Sequence, residues 1–319
     1  MTVFRLGSTG GEVASIQIRL QTLGHYRGLL DGYFGGATET AVKRFQAERR
    51  LALDGVVGSV TWQALFGESI PAAILASQSL AYRCLALAGA FETDSGIPEC
   101  FTGLSGDFDG QGLSLGVLQW NFGQGSLQPL LLEMARRHGV LFRELFRPDD
   151  AMLLETLSGD RDAQLDFARS IQHPVKHQIY EPWRGRFKAL CRTAEFQAIQ
   201  TRAAEALHQS ARRLAGEYGL ASQRGIALMF DIKVQNGSIP APTRQQILAD
   251  FDQLATELPA ALREVARMKI IAQRRADAAN PRWVEDVRAR KLCIALGEGT
   301  VHGISYNLAE QFAITLEPA

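Results

Sequence analysis

Between Phe91 and Ser126 the chain sets Glu92, at the start, and Asp107 and Asp109, further on, about a Gly- and Ser-rich passage that ends in the run GVLQWN. Cleavage of a glycosidic bond needs one carboxyl group to protonate the departing oxygen and a second to handle water or the developing cation. Glu92 follows an apolar segment, Ile74 to Phe91, that reads as a helix. A glutamate at a helix end, against apolar neighbours, suits the proton donor. An aspartate on the glycine-rich turn that follows, Asp107 or Asp109, would stay ionised and suits the second role. Taken alone, such residues are more often a surface glutamate and turn-forming aspartates. The surrounding elements have to decide.

Those elements are mostly helical. Apolar spacing predicts helices over Ile74–Phe91, Leu127–Gly139, Asp160–Ile171, Pro174–Phe187, Ala194–Tyr218, Ser222–Val234, Thr243–Thr256, Pro259–Ala278 and Pro281–Leu296. Only Thr102 to Trp120, broken by glycines, suits a small β-ribbon. Gly297–Leu308 reads as a polar, Gly-rich loop that caps the fold or walls a cleft.

Residues 1–67 form a separate pattern. Val13, Ile16, Leu20 and Leu23 mark one helix face, with Gly24 at its C-cap. Thr38 is the expected N-cap of a second helix through Ala41, Val42 and Phe45, and a third runs through Trp62, Leu65 and Phe66. DGYFGGAT (Asp31–Thr38) and DGVVGSVT (Asp54–Thr61) are two copies of one turn, each feeding a helix. Residues 68–72, ESIPA, read as a short joint, which gives domains of 1–68 and 69–319.

This N-terminal stretch resembles the peptidoglycan-binding domain of cell-wall hydrolases, a three-helix module, through the doubled D-G-x-[FV]-G-x-x-T turn, A-V-x-x-F-Q and T-W-x-x-L. Gly36 and Ser59 replace the family's usual prolines. The resemblance implies a binding groove around Asp31, Gly32, Tyr33, Phe34 and Thr38, with Phe45 and Gln46 beneath it.

The passage D-G-Q-G-L-S (Asp109–Ser114) with G-V-L-Q (Gly116–Gln119) resembles two branches of the lysozyme-like superfamily, the bacterial chitosanases and the lytic transglycosylases. By that resemblance Glu92 is the general acid, Asp109 the base and Ser114 the hydroxyl that holds water. Gln111 stands where the chitosanases carry arginine. Gln119, Trp120 and Asn121 would contact sugar, as would Asn236 in the later V-x-[HN]-G element, and Asp231 reads as a carboxylate at the core edge or behind the catalytic pair. Trp120, Phe122 and Trp183 are candidates to stack on sugar rings, with core packing the competing role for Trp183. The implied fold is mainly α: the three-helix module, then a lysozyme-like α+β domain with a small β-ribbon.

Composition narrows the classes. Basic and acidic side chains balance at 34 each, which gives no basic footprint for nucleic acid. No apolar run reaches the length of a membrane span. Cys84, Cys100, Cys191 and Cys293 lack zinc spacing and are expected as free buried thiols, with a Cys84–Cys100 pair as the alternative. The histidines are scattered, so neither a metal nor another cofactor is expected. No G-x-S-x-G elbow supports a serine hydrolase. The N-terminus lacks a secretory pattern. The expectation is a monomer made in the cytoplasm that reaches the periplasmic wall through a holin, lysis or a secretion system; the binder-first order resembles endolysins of phages with Gram-negative hosts.

The sequence therefore predicts a muramidase acting on the β-1,4 bonds of peptidoglycan glycan strands. A chitosanase, a lytic transglycosylase and a non-catalytic wall-binding scaffold are the alternatives.

Overall fold

The computed structural model of the chain describes residues 4–8, 11–68, 74–94, 96, 99–255 and 257–319. It divides into two compact units, Met1–Leu87 with His208–Ala319, and Ala88–Leu207.

In the first unit, the N-terminal residues make three helices. α1 (Gly11–Thr22) buries Val13, Ile16, Gln17 and Leu20, the stripe that a 3.6-residue period places on one side. α2 (Gly36–Glu48) buries Ala41, Val42, Phe45 and Gln46. α3 (Ser59–Phe66) buries Trp62 and Leu65, and Gly67 ends it in the left-handed conformation. Thr38 is not the N-cap expected of it. The helix starts at Gly36 behind Gly35, and Thr38 is buried in the first turn with its hydroxyl 3.3 Å from the Gln17 amide. Phe4 pairs with Val57 through both main-chain groups and closes the core.

The expected joint, beyond Glu68, lies outside the described residues. The helix expected over Ile74–Phe91 is split into a 3-10 turn, Ile74–Ser77, and α4, Leu80–Thr93. Ser79 causes the break by capping α4: its hydroxyl accepts from the Tyr82 N–H at 3.3 Å.

In the second unit, β1 (Leu104–Ser105), β2 (Ser114–Leu115) and β3 (Trp120–Asn121) pair antiparallel in that order. The register aligns Ser105, Ser114 and Asn121 in one row and Leu104, Leu115 and Trp120 in the next. Successive side chains alternate between faces, so the second row meets the apolar core while the first turns the other way.

Around the ribbon stand α5 (Gln128–Arg137), α6 (Gly139–Phe146), α7 (Asp150–Ser158), α8 (Arg161–Ser170), α9 (Trp183–Arg192) and α10 (Ala194–Glu217), the last of which continues into the first unit. α6 and α7 occupy residues to which the sequence assigns no helix. Each is about two turns long with Pro148 between them, too short to show a sustained period. The helix expected from Pro174 begins only at Trp183. Before it Gln172 bridges to Ile179, and His173 Nδ1 accepts from the N–H groups of Val175 and Lys176.

The chain returns to the first unit with α11 (Gln223–Asn236), capped by the Ser222 hydroxyl, α12 (Ala241–Asp252), α13 (Ala260–Asp277) and α14 (Val284–Leu296). The expected loop after α14 is instead a hairpin, β4 (Glu298–Val301) and β5 (Ile304–Asn307), followed by the short α15 (Leu308–Gln311). His302 and Gly303 turn it with φ of 51° and 80°, the pair of positive angles that a two-residue type I′ turn requires. No helix among the described residues is long and apolar enough to cross a membrane.

Candidate functional site

Glu92 lies in the last turn of α4, half-buried beside the enclosed Phe91 ring. The Thr93 hydroxyl donates to the Gly89 carbonyl at 2.7 Å and ties down that helix end. The two aspartates of the following loop separate by environment. Asp107 is only 10% exposed at its side chain. One of its oxygens accepts from the Gly112 N–H at 2.8 Å and the other lies 3.5 Å from Arg169. Its own N–H donates to Gln172 at 2.8 Å. Asp107 therefore holds the loop shut. Asp109 is exposed and accepts one local bond, from the Gln111 N–H at 3.1 Å. That is an Asx turn, which presents the carboxylate to solvent. Glu92 and Asp109 belong to the same unit.

The ribbon residues divide in the same way. Ser114 is in the central strand, and its hydroxyl bonds to no other described residue. Gln119 takes a φ of 51°, donates to the Gly116 carbonyl at 2.9 Å and accepts from Ser105 at 2.9 Å. Gly116 has no room for a side chain: a Cβ would lie 2.4 Å from Gln200 Oε1, which accepts from the Val117 N–H. The G-V-L-Q run is thus packed tightly against α10.

Asn121, expected to face sugar, is buried instead. Its Oδ1 accepts from the Gln124 N–H at 2.9 Å and its carbonyl from those of Ser126 and Leu127, so it shapes the loop after the ribbon. Phe122 and Trp183 are also withdrawn from any sugar-stacking role, being enclosed in the apolar core; Trp120 is half-buried against it. An aromatic that is exposed is Phe108, next to Asp109, 69% accessible with its ring 5.0 Å from that of His177. A lone Phe in a Gly-Asp turn gives no periodic signal, so the sequence did not single it out.

In the first unit, Asp231 is 1% exposed and accepts from Arg290 at 2.6 Å and from Lys291 at 2.5 Å. Burial pushes its carboxyl upward, but the two cations and their hydrogen bonds outweigh this and hold it below the usual range. Lys291 also reaches Gln235, whose amide donates to Asp286. Asp231 is a core ion-pair residue of that unit. Asn236 ends α11, its Oδ1 buried without a partner among the described residues.

The doubled turn of the module is explained by two glutamines. Gln17 Nε2 donates to Asp31 Oδ1 at 2.8 Å and to the Tyr33 carbonyl at 2.9 Å, while Gln17 Oε1 accepts from the Gly32 N–H. Gln46 repeats each contact with Asp54, Val56 and Gly55. Hydrogen bonds from Gln17 and the Tyr33 N–H hold the Asp31 carboxyl below its ordinary range. The expected groove is corrected at two positions: Phe34 and Thr38 are buried and form the turn's interior. Tyr33, 40% exposed, is the accessible aromatic there.

All four cysteines are buried and unpaired. Burial raises the thiols of Cys84, Cys100 and Cys293 to about 12, and that of Cys191 in the same direction. Among the described residues no group of three or more His, Cys, Asp or Glu side chains is placed to hold a metal ion.

Comparison with known proteins bears on the module. Residues 9–65 match the family described as "Putative peptidoglycan binding domain". Over 57 residues the chain is 47% identical to the N-acetylmuramoyl-L-alanine amidase CwlM of Mycobacterium tuberculosis, covering 18% of this chain and 14% of that protein. It is 42% identical over 59 residues to the spore cortex-lytic enzyme of Oceanobacillus iheyensis, covering 18% and 21%. It is 43% identical over 68 residues to that of Bacillus subtilis, covering 21% and 22%. The chain therefore spans less than a quarter of the length of these relatives. A chain of a solved chitosanase complex aligns with 70% of this chain and 94% of its own, at 16% identity and a TM-score of 0.46. Residues 9–65 thus match a peptidoglycan-binding family, and the chain continues beyond them as a longer, helix-rich portion with small antiparallel sheets.

Proposed function

We propose that this chain is a cell-wall hydrolase of the muramidase type, cutting the β-1,4 bond after N-acetylmuramic acid. Residues 1–68 hold peptidoglycan and residues 69–319, folded as a lysozyme-like domain, carry the chemistry. The observation that supports this most is the sorting of the carboxylates. Asp107 is tied into the loop, Asp109 is left to solvent, and Glu92 sits half-buried at a helix end of the same unit. In this reading Glu92 donates its proton to the glycosidic oxygen as the bond breaks, and Asp109 takes a proton from the water that attacks the anomeric carbon. The Ser114 hydroxyl orients that water. The curated relatives are named as an amidase and as cortex-lytic enzymes, and what they share with this chain is a stretch about the length of the module. A wall target is therefore taken from them, and the bond cut is not. Tethering raises the local concentration of the attached catalyst on an insoluble polymer.

The test is turbidity clearing of purified sacculi by the full chain and by Glu92→Gln. The reading predicts clearing by the parent and a loss of about 10²–10⁴ in rate for the variant, the usual worth of a general acid. A variant within tenfold of the parent would remove Glu92 from the mechanism.

A further inference from the structure

The two halves of the module are one arrangement built twice, with a single difference in length. Gln17 precedes Asp31 by 14 residues and Gln46 precedes Asp54 by 8, although both pairs close the same turn. The first copy thus carries six residues more (14 − 8 = 6). This extra chain is not needed for the turn. Three of the six extend α1, which runs five residues past Gln17 where α2 runs two past Gln46, and the other three lengthen the loop before the turn, whose Gly24–Gly28 with one face of α2 line a groove of about 510 Å³. That volume falls in the range of small-ligand sites, about 300–1,000 Å³.

The groove has a fixed wall and two uncommitted charges. Tyr26 is buried, and its hydroxyl donates to the Leu29 carbonyl at 2.7 Å. A Cβ at Gly28 would stand 2.5 Å from that phenol oxygen, so only glycine lets the chain pass so close to the ring. Arg27 from the lengthened loop and Arg44 from α2 line the groove, with Thr40 on the same helix. Both arginines are exposed, and neither makes a hydrogen bond or ion pair with another described residue. His25, by contrast, is occupied: its Nε2 lies 3.2 Å from Glu48.

We propose that this groove binds carboxylate groups, and that its ligand is the anionic peptide of the wall polymer rather than the glycan. The proposal rests on the wall-binding reading above. A guanidinium is a planar fork of donors that matches a carboxylate bidentately and stays charged at any physiological pH. An N-acetylated glycan presents hydroxyls and neutral amides, which give two cations nothing to neutralise. A peptide stem with a free carboxylate does. The lengthened loop therefore turns one copy of a structural repeat into a binding copy, while the shorter copy remains scaffold.

The experiment is co-sedimentation of the full chain with sacculi, in a Glu92→Gln background so that the polymer stays whole. Parent and Arg27→Gln/Arg44→Gln are each measured on native sacculi and on sacculi whose carboxylates have been amidated with methylamine and carbodiimide. Thermal melts confirm that the exposed substitutions leave the fold intact. The expected result is at least about a tenfold loss of affinity for the double variant, a similar loss for the parent on amidated sacculi, and no response of the variant to amidation. Equal affinity of the parent for native and amidated sacculi overturns the carboxylate site, as does a double variant that responds to amidation as the parent does; in both cases wall binding itself stands. A parent that fails to sediment with native sacculi overturns the wall-binding reading and this proposal with it.

Discussion

Gln17 reaches from the buried face of α1 to Asp31, its amide nitrogen 2.8 Å from the carboxylate. The same glutamine accepts from the Gly32 N–H and meets the Thr38 hydroxyl, so one enclosed side chain organises the whole turn. Gln46 stands in the same relation to Asp54, 2.7 Å away. Gln17→Ala is therefore expected to destabilise the protein by about 1–3 kcal/mol, the cost of leaving buried polar groups unpaired. The Asp31 carboxyl should move back up toward 3.8, since the Gln17 bond is the largest influence lowering it. Chemical denaturation and carboxyl NMR titration read the two effects. A parent-like melt with an unmoved Asp31 would contradict the role.

Asp231 makes a different prediction. Its partners Arg290 and Lys291 are as enclosed as it is, so Asp231→Asn strands buried positive charge. Breaking such a pair costs about 3–5 kcal/mol. The pH dependence has a definite sign. The folded-state pKa is depressed, so the stabilisation is fully present above the unfolded value of 3.8 and fades as pH falls through the lower folded value. Denaturant titrations of parent and variant should show a gap that is constant near neutrality and narrows in acid. A gap that widens in acid would exclude this account.

The thiols give a third test. With all four cysteines buried, the native chain should react slowly with a thiol reagent, and four thiols should appear after denaturation. Fewer than four would indicate a disulfide. Rapid native labelling at neutral pH would contradict the elevated thiol values.

Much of this architecture was legible in the sequence, and the exceptions have physical causes. The helix faces of the module could be read because Val13, Ile16 and Leu20 repeat at the helical period, and the repeated Asp-Gly turns could be read because both copies keep their glycines. What held the turns was not legible. Gln17 and Gln46 are polar residues on apolar faces, and their importance comes from contacts 14 and 8 residues away. For the same reason Thr38 resembled a cap when it is an interior hydroxyl, and Asn121 resembled a sugar contact when it ties a loop. Glu92 at a helix end and Asp109 on a solvent-facing turn stand where the sequence put them, but the spacing alone did not separate Asp109 from Asp107. That needed Gly112 and Arg169, which the fold brings to Asp107.

The central claim is hydrolysis of the wall glycan by water, and mass spectrometry of fragments released from sacculi by the full chain tests it most directly. The account predicts muropeptides with reducing N-acetylmuramic ends that carry the added water, and their disappearance with Asp109→Asn. Anhydro products lighter by that water, released equally by Asp109→Asn, would contradict it, and so would the release of peptides with the glycan left intact.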